Sequence, residues 1–154
     1  MPTLYVLIGL PGSGKSHWAQ TNADRIGAVV VGSDEVRAEF QARGQNPYDG
    51  DAVFAEVERR ARAHLQAAQS VILDATHYQR RYRRYALDLA LQLQVPCVAV
   101  WFDIPLVKAL QCNGGRTGDR FGEQRLPDHI IGEMAAYFDS PGRDEFDRVV
   151  RIKG

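Results

Sequence analysis

Gly9-Leu10-Pro11-Gly12-Ser13-Gly14-Lys15-Ser16 fits the pattern G-x-x-x-x-G-K-[ST], the loop that wraps phosphates in ATP- and GTP-using proteins. Its surroundings fit as well. Ahead of it, Leu4-Tyr5-Val6-Leu7-Ile8 is a continuous apolar run, as a buried parallel strand has. Behind it, Lys15-Ser16-His17-Trp18-Ala19-Gln20 reads as the first turns of a helix. Gly9, Gly12 and Gly14 let backbone N–H groups close on phosphate oxygens, with Pro11 and Ser13 between them. The helix N-terminus adds partial positive charge. Lys15 supplies a mobile point charge for the β- and γ-phosphates, and Ser16 a hydroxyl for Mg²⁺.

Outward from this loop, strand and helix signals alternate. A helix over Lys15–Arg25 leads to a strand at Ala28–Val31, then to a helix near Glu35–Ala42 capped by Ser33 or Asp34. Asp51–Gln69 is strongly amphipathic, with Phe54, Val57, Ala61, Leu65 and Ala68 at steps of three and four. A third strand at Val71–Leu73 ends on Asp74. The helix predicted over Gln79–Gln94 carries Tyr82, Tyr85, Ala86, Leu89 and Leu93 on one face, which places its arginines toward solvent. A strand at Cys97–Phe102, helices at Leu106–Cys112 and Pro127–Phe138, and a last strand at Arg148–Ile152 complete the pattern. Such alternation predicts an α/β fold, with a mainly parallel sheet and helices on both faces. Ligands of such sheets sit beyond the C-terminal ends of the strands, where Gly9, Ser33-Asp34, Asp74 and Asp103 fall.

Composition sets the outer limits. The 154 residues suit one domain, 1–154, with 45% hydrophobic and 25% charged residues. No apolar run reaches the roughly 18 residues of a membrane span, and the N-terminus reads as strand and loop instead of a signal peptide. Only Cys97 and Cys112 are present, in no metal-ligand spacing, which suits a reducing cytoplasm. Net charge is zero, so no global field draws in nucleic acid. Yet 16 of the 19 basic residues are arginine, the side chain whose planar fork matches phosphate.

Several residues are candidates for chemistry. Asp34, just after a strand, suits a general base toward an attacking hydroxyl, or a helix cap. Arg37 follows on the same helical face and suits an anionic group of the acceptor, or plain solvent. Asp74 closes an apolar strand as a Walker B acid does, supporting Mg²⁺ or orienting Asp34 and Arg37; its alternative is a turn. Thr76 is within reach of an acceptor, while His77 reads as a surface loop residue. Asn113–Arg125 holds four glycines (114, 115, 118, 122) and three arginines, an Arg/Gly-rich lid that would bring Arg116, or else Arg120, onto the transferring phosphoryl group. Arg80, Arg81, Arg83 and Arg84 interleave with Tyr82 and Tyr85, which suits single-stranded nucleic acid or a solvated helix face. Trp18, Trp101, Phe102 and Phe138 read as core.

Together the phosphate loop, Ser33-Asp34-x-x-Arg37, Leu73-Asp74-Ala75-Thr76-His77 and Asn113-x-x-Arg116 before Leu126-Pro127 resemble the kinase domain of bacteriophage polynucleotide 5′-kinase and its bacterial AAA-like and zeta-toxin-like relatives. The resemblance covers nearly the whole chain. It implies a P-loop NTPase three-layer αβα sandwich that uses ATP and Mg²⁺. Lys15 and Ser16 would bind the ATP phosphates and metal, with Asp74 supporting the metal. Asp34 would be the base, Arg37 the ligand of the acceptor phosphate and Arg116 the lid arginine. Two positions depart from the pattern. His77 stands where the phage-type motif has asparagine, and Cys112 where relatives often carry a basic residue. No phosphatase or ligase partner domain is expected in the 154 residues. The implied activity is phosphoryl transfer to a hydroxyl, foremost the 5′-OH of DNA or RNA. A small-molecule kinase (metabolite, antibiotic or nucleotide-sugar) and a non-catalytic ATP-binding switch are the alternatives.

Overall fold

The apolar run before the phosphate loop forms β1 (Leu4–Ile8), and the loop runs directly into α1 (Lys15–Ile26). These elements belong to a computed structural model that describes residues 1–118 and 120–154; Asp119, within the predicted lid, lies outside the described residues. The chain continues through β2 (Ala28–Gly32), α2 (Ser33–Ala42), α3 (Gly50–Gln66), β3 (Ser70–Asp74) and α4 (Arg80–Leu93). It ends with β4 (Cys97–Asp103), α5 (Leu106–Gly114), α6 (Asp128–Ala136) and β5 (Arg148–Lys153). One sheet takes the order β2-β3-β1-β4-β5, and every neighbouring pair is parallel.

Alternation along β1 divides the core. Leu4, Val6 and Ile8 face a cluster built with Val36 of α2, Val53, Val57, Ala61 and Leu65 of α3, and Ala86 and Leu89 of α4. Leu7 and Tyr5 face the other side, where Ala19 and Trp18 of α1 pack against Phe102 and Val100. The result is the expected three-layer αβα sandwich. A third cluster joins Leu10 of the phosphate loop to Ala109 of α5 and Ile131 of α6. No helix among the described residues is long and apolar enough to cross a membrane.

Local structure departs from the sequence expectation in four places. Helix α2 begins at Ser33, with Gly32 in the cap position and no side-chain cap bond, so neither Ser33 nor Asp34 is the cap. Helix α3 stops at Gln66, capped at its start by Asp49, whose side chain accepts from Ala52 N; Ala68 is exposed with φ of 63°. Helix α4 is rotated from the predicted stripe, burying Arg83, Ala86, Leu89 and Ala90. Tyr82 is exposed and Tyr85 half-buried instead. Trp18, Trp101 and Phe138 are half-buried; Trp101 carries the Arg151 guanidinium 4.8 Å above its ring.

Candidate active site

The phosphate loop owes its shape to its glycines. Gly12 and Gly14 take φ of 84° and 96°, angles that side-chain-bearing residues rarely adopt. A Cβ on Gly12 would lie 2.6 Å from the Ala109 carbonyl oxygen, and one on Gly9 would lie 2.7 Å from Ser13 Oγ. The loop is therefore wedged against α5 and the end of β4. Ser13 Oγ is buried without a hydrogen-bond partner among the described residues. Lys15 is buried, and its Nζ donates to Leu10 O at 2.9 Å. Burial pulls its ammonium down to about 8, against the opposing attraction of Asp74. An ammonium held beside its own loop carbonyl, short of anionic partners, fits a triphosphate tail.

Beyond the C-terminal ends of β1, β2 and β3 lies a cleft of about 580 Å³. Lys15, Ser16, Asp34, Arg37, Asp74 and Arg116 all line it, as do Pro11, Thr76 and His77. Parallel strands place their C-terminal ends side by side, and Gly32 pairs in register with Asp74. That register brings Asp34 and Asp74 together, far apart though they are in the chain. Ser16 Oγ donates to Asp74 Oδ2 at 2.8 Å. Two adjacent oxygens of this kind suit a hard divalent cation, although among the described residues no cluster of three or more His, Cys, Asp or Glu side chains forms a metal cage. Asp34 is open on one side, yet partial desolvation of its carboxyl and the nearby Asp74 charge raise its affinity for a proton; Arg37, Lys15 and Arg116 oppose them. Arg37 is half-buried and donates to Pro47 O at 2.7 Å, which ties it to the α2–α3 loop.

The lid is held at its root. Asn113 is buried; its Nδ2 donates to Leu126 O at 2.7 Å and its Oδ1 accepts from Leu126 N at 2.9 Å. Arg116 N donates to Asn113 O. The loop then crosses the cleft, where a Cβ on Gly122 would sit 2.6 Å from Asp34 Oδ2. Arg120 is exposed and does not line the cleft.

His77 is a core residue, contrary to its sequence reading as a surface loop position. It is 2% exposed, in the left-handed region with φ of 46°. Its Nδ1 lies 2.8 Å from Leu7 O and its Nε2 2.7 Å from Tyr85 Oη. A carbonyl only accepts, so Nδ1 carries the proton and Nε2 accepts from the phenol. Burial holds the ring neutral, its titration pushed down to about 4. The other unforeseen residue is Arg83, 0% exposed. It donates bidentately to Glu145 at 2.9 and 2.7 Å, and to the carbonyls of His77 and Asp139. Both residues brace the 74–79 wall of the cleft. A further tie runs from Gly9 N to Thr76 O at 3.0 Å. The stripe Arg83–Ala86–Ala90, at steps of three and four, is the available sequence signal for Arg83; nothing local marks His77.

Fold and site together define a P-loop domain, a parallel αβα sandwich with a phosphate loop at the end of its central strand. The chain belongs to the family whose model, described as "AAA domain", matches residues 4–141. It is 26% identical over 144 residues to L-seryl-tRNA(Sec) kinase of Methanococcus maripaludis. That match takes in 90% of this chain and 53% of the relative, so the chain spans about half the length of that curated relative. Solved structures share the fold. Kti12 of Chaetomium thermophilum in complex with ADP-AlF3 superposes with a TM-score of 0.76 at 18% identity, over 97% of this chain and 88% of that one. A gluconokinase from Sinorhizobium meliloti gives 0.68 at 18%, over 99% and 82%. A chain of the Pnkp1/Rnl/Hen1 RNA repair complex gives 0.71 at 24%, over 88% and 43%.

Proposed function

We propose that this chain transfers the γ-phosphoryl group of ATP to a hydroxyl, and that the hydroxyl is the 5′-OH of a DNA or RNA end. The observation that carries the reading is the position of Asp34. A carboxylate faces the same cleft as the phosphate-loop lysine, with Arg37 and Arg116 beside it. An ATP-binding switch without transfer has no use for that base. The loop backbone and Lys15 hold the β- and γ-phosphates. Arg37 holds an anionic group of the acceptor, and Asp34 takes the proton of its hydroxyl. The acceptor oxygen then bonds to the γ-phosphorus as the bond from that phosphorus to the β-bridging oxygen breaks, and ADP leaves. Ser16 and Asp74 would hold magnesium, which neutralises phosphate charge when bound. Arg116, carried by the lid, faces the charge that spreads over the transferring group. Catalysis of this kind is mostly positioning.

Support for an acceptor carried on nucleic acid comes from two matches, one named for seryl-tRNA and one from an RNA repair complex. A small-molecule acceptor is the second reading. It is favoured by the zero net charge and by the loss of Arg80 and Arg83 to pairs with Asp144 and Glu145. Labelled ATP, Mg²⁺ and a 5′-hydroxyl oligonucleotide separate the two. Label is expected on the oligonucleotide, and Asp34→Ala is expected to cut the rate by about 10²–10⁴. Label moving only to a small molecule from cell extract supports the second reading.

A further inference from the structure

The cleft has two unlike halves. One holds the charged groups described above. The other is walled by rings and alkyl groups, among them Tyr48, Phe121, Tyr78, Tyr82, Ile130 and Met134. The rings come as two pairs. Tyr48 of the α2–α3 loop meets Phe121 of the lid edge-on, with centroids 6.0 Å apart at 67°. Tyr78 meets Tyr82 at 5.2 Å and 42°. Arg81 lies 4.6 Å over the Tyr82 ring and donates to Tyr82 Oη. Tyr48 is 76% exposed and Tyr82 41%, so aromatic surface stands open to water at the rim of the cleft. A flat, polarizable group laid on them would remove that area from water.

We propose that these rings form a seat for the terminal base of the acceptor, so that the cleft selects a hydroxyl carried next to a planar heteroaromatic ring. The inference rests on the assignment of Asp34 as the base in this cleft. Rings accept any base by stacking and need no edge contacts, so the seat discriminates ring from no ring and tolerates base identity. A polyol has no flat, polarizable face to lay on the rings. The seat also reads only the end of a strand. Of the cations near it, Arg80 is paired with Asp144 and Arg83 with Glu145. Arg84 lines a different groove, beside Asp88 and Asp147.

The test is steady-state phosphorylation of three acceptors: a 5′-hydroxyl 20-mer, a dinucleotide, and a 20-mer whose 5′-terminal nucleotide is abasic. The dinucleotide is expected to match the 20-mer within about threefold in KM. The abasic end is expected to raise KM about tenfold or more. Tyr48→Ala and Tyr82→Ala are each expected to raise KM for the intact end, to leave it unchanged for the abasic end, and to leave KM for ATP unchanged. Equal use of intact and abasic ends overturns the seat and leaves the assigned activity standing. Failure to label any of the three acceptors, in protein that binds ATP, overturns the polynucleotide assignment and the seat with it.

Discussion

Lys15 and Asp34 are both displaced from their ordinary titration, and in opposite directions. Lys15 in the free protein titrates near 8; a bound triphosphate favours its charged form and raises that value. Binding at pH 9 must therefore draw a proton from solution, whereas at pH 7 Lys15 is already charged. Calorimetry of ATP binding at pH 9, in buffers of different ionisation enthalpy, should show uptake of up to one proton, and Lys15→Ala should abolish it. Asp34 behaves in the opposite sense. Its folded proton affinity is raised, so in the proposed role of base it would lose its proton at higher pH than an unperturbed aspartate does. The acid limb of kcat/KM should accordingly lie above that of an unperturbed aspartate. Gly122 makes a separate prediction. Its φ is 85°, and a methyl carbon there would come within 2.6 Å of Asp34 Oδ2, so a side chain would push the Asp34 carboxylate aside. Gly122→Ala should lower kcat by about a hundredfold, as misplacement by an ångström does, while far-UV circular dichroism should show the fold retained.

Helix α4 and the lid show what an element contributes beyond its own residues. Glu145 is nearly buried beneath Arg83, the side chains being 6% and 0% exposed. Removing one partner of such a pair strands the other charge. Glu145→Gln should cost about 3–5 kcal/mol in urea unfolding, and Arg83→Met combined with Glu145→Leu should recover only part of that loss, because the carbonyls of His77 and Asp139 then lose their donor. The same pair explains why the orientation of α4 is not legible in the sequence. The partner of Arg83 lies 62 residues away, and the tyrosines offer an apolar stripe of equal quality. His77 escapes a local reading for the same reason, since its partner Leu7 is 70 residues distant. By contrast β1, the phosphate loop and α1 are legible, because a buried strand, a glycine-rich turn and a helix start each leave a contiguous signature. Asp34 and Asp74 stand out by their position at strand ends. The aromatic wall does not, because Tyr48 and Phe121 meet only when two loops fold over the same opening.

On the scale of the molecule, the parallel order β2-β3-β1-β4-β5 gathers the strand ends into one rim, with the loop over Gly122 roofing it. Asn113 fastens both roots of that roof. Arg116 sits on its near limb and lines the cleft, where the proposed transfer needs a cation. Arg116→Ala should lower kcat by about 10²–10³ and leave the dissociation constant for ATP within a few-fold, measured by single-turnover kinetics and calorimetry. Undiminished transfer in that variant would remove Arg116 from the mechanism.

The hydrogen bond between Gly9 N and Thr76 O has a mechanical consequence. It joins the first residue of the phosphate loop to the segment that follows β3, so both sides of the cleft floor share one backbone frame. Under the proposed transfer, the spacing between donor and acceptor would then be set by the sheet and not by side-chain adjustment.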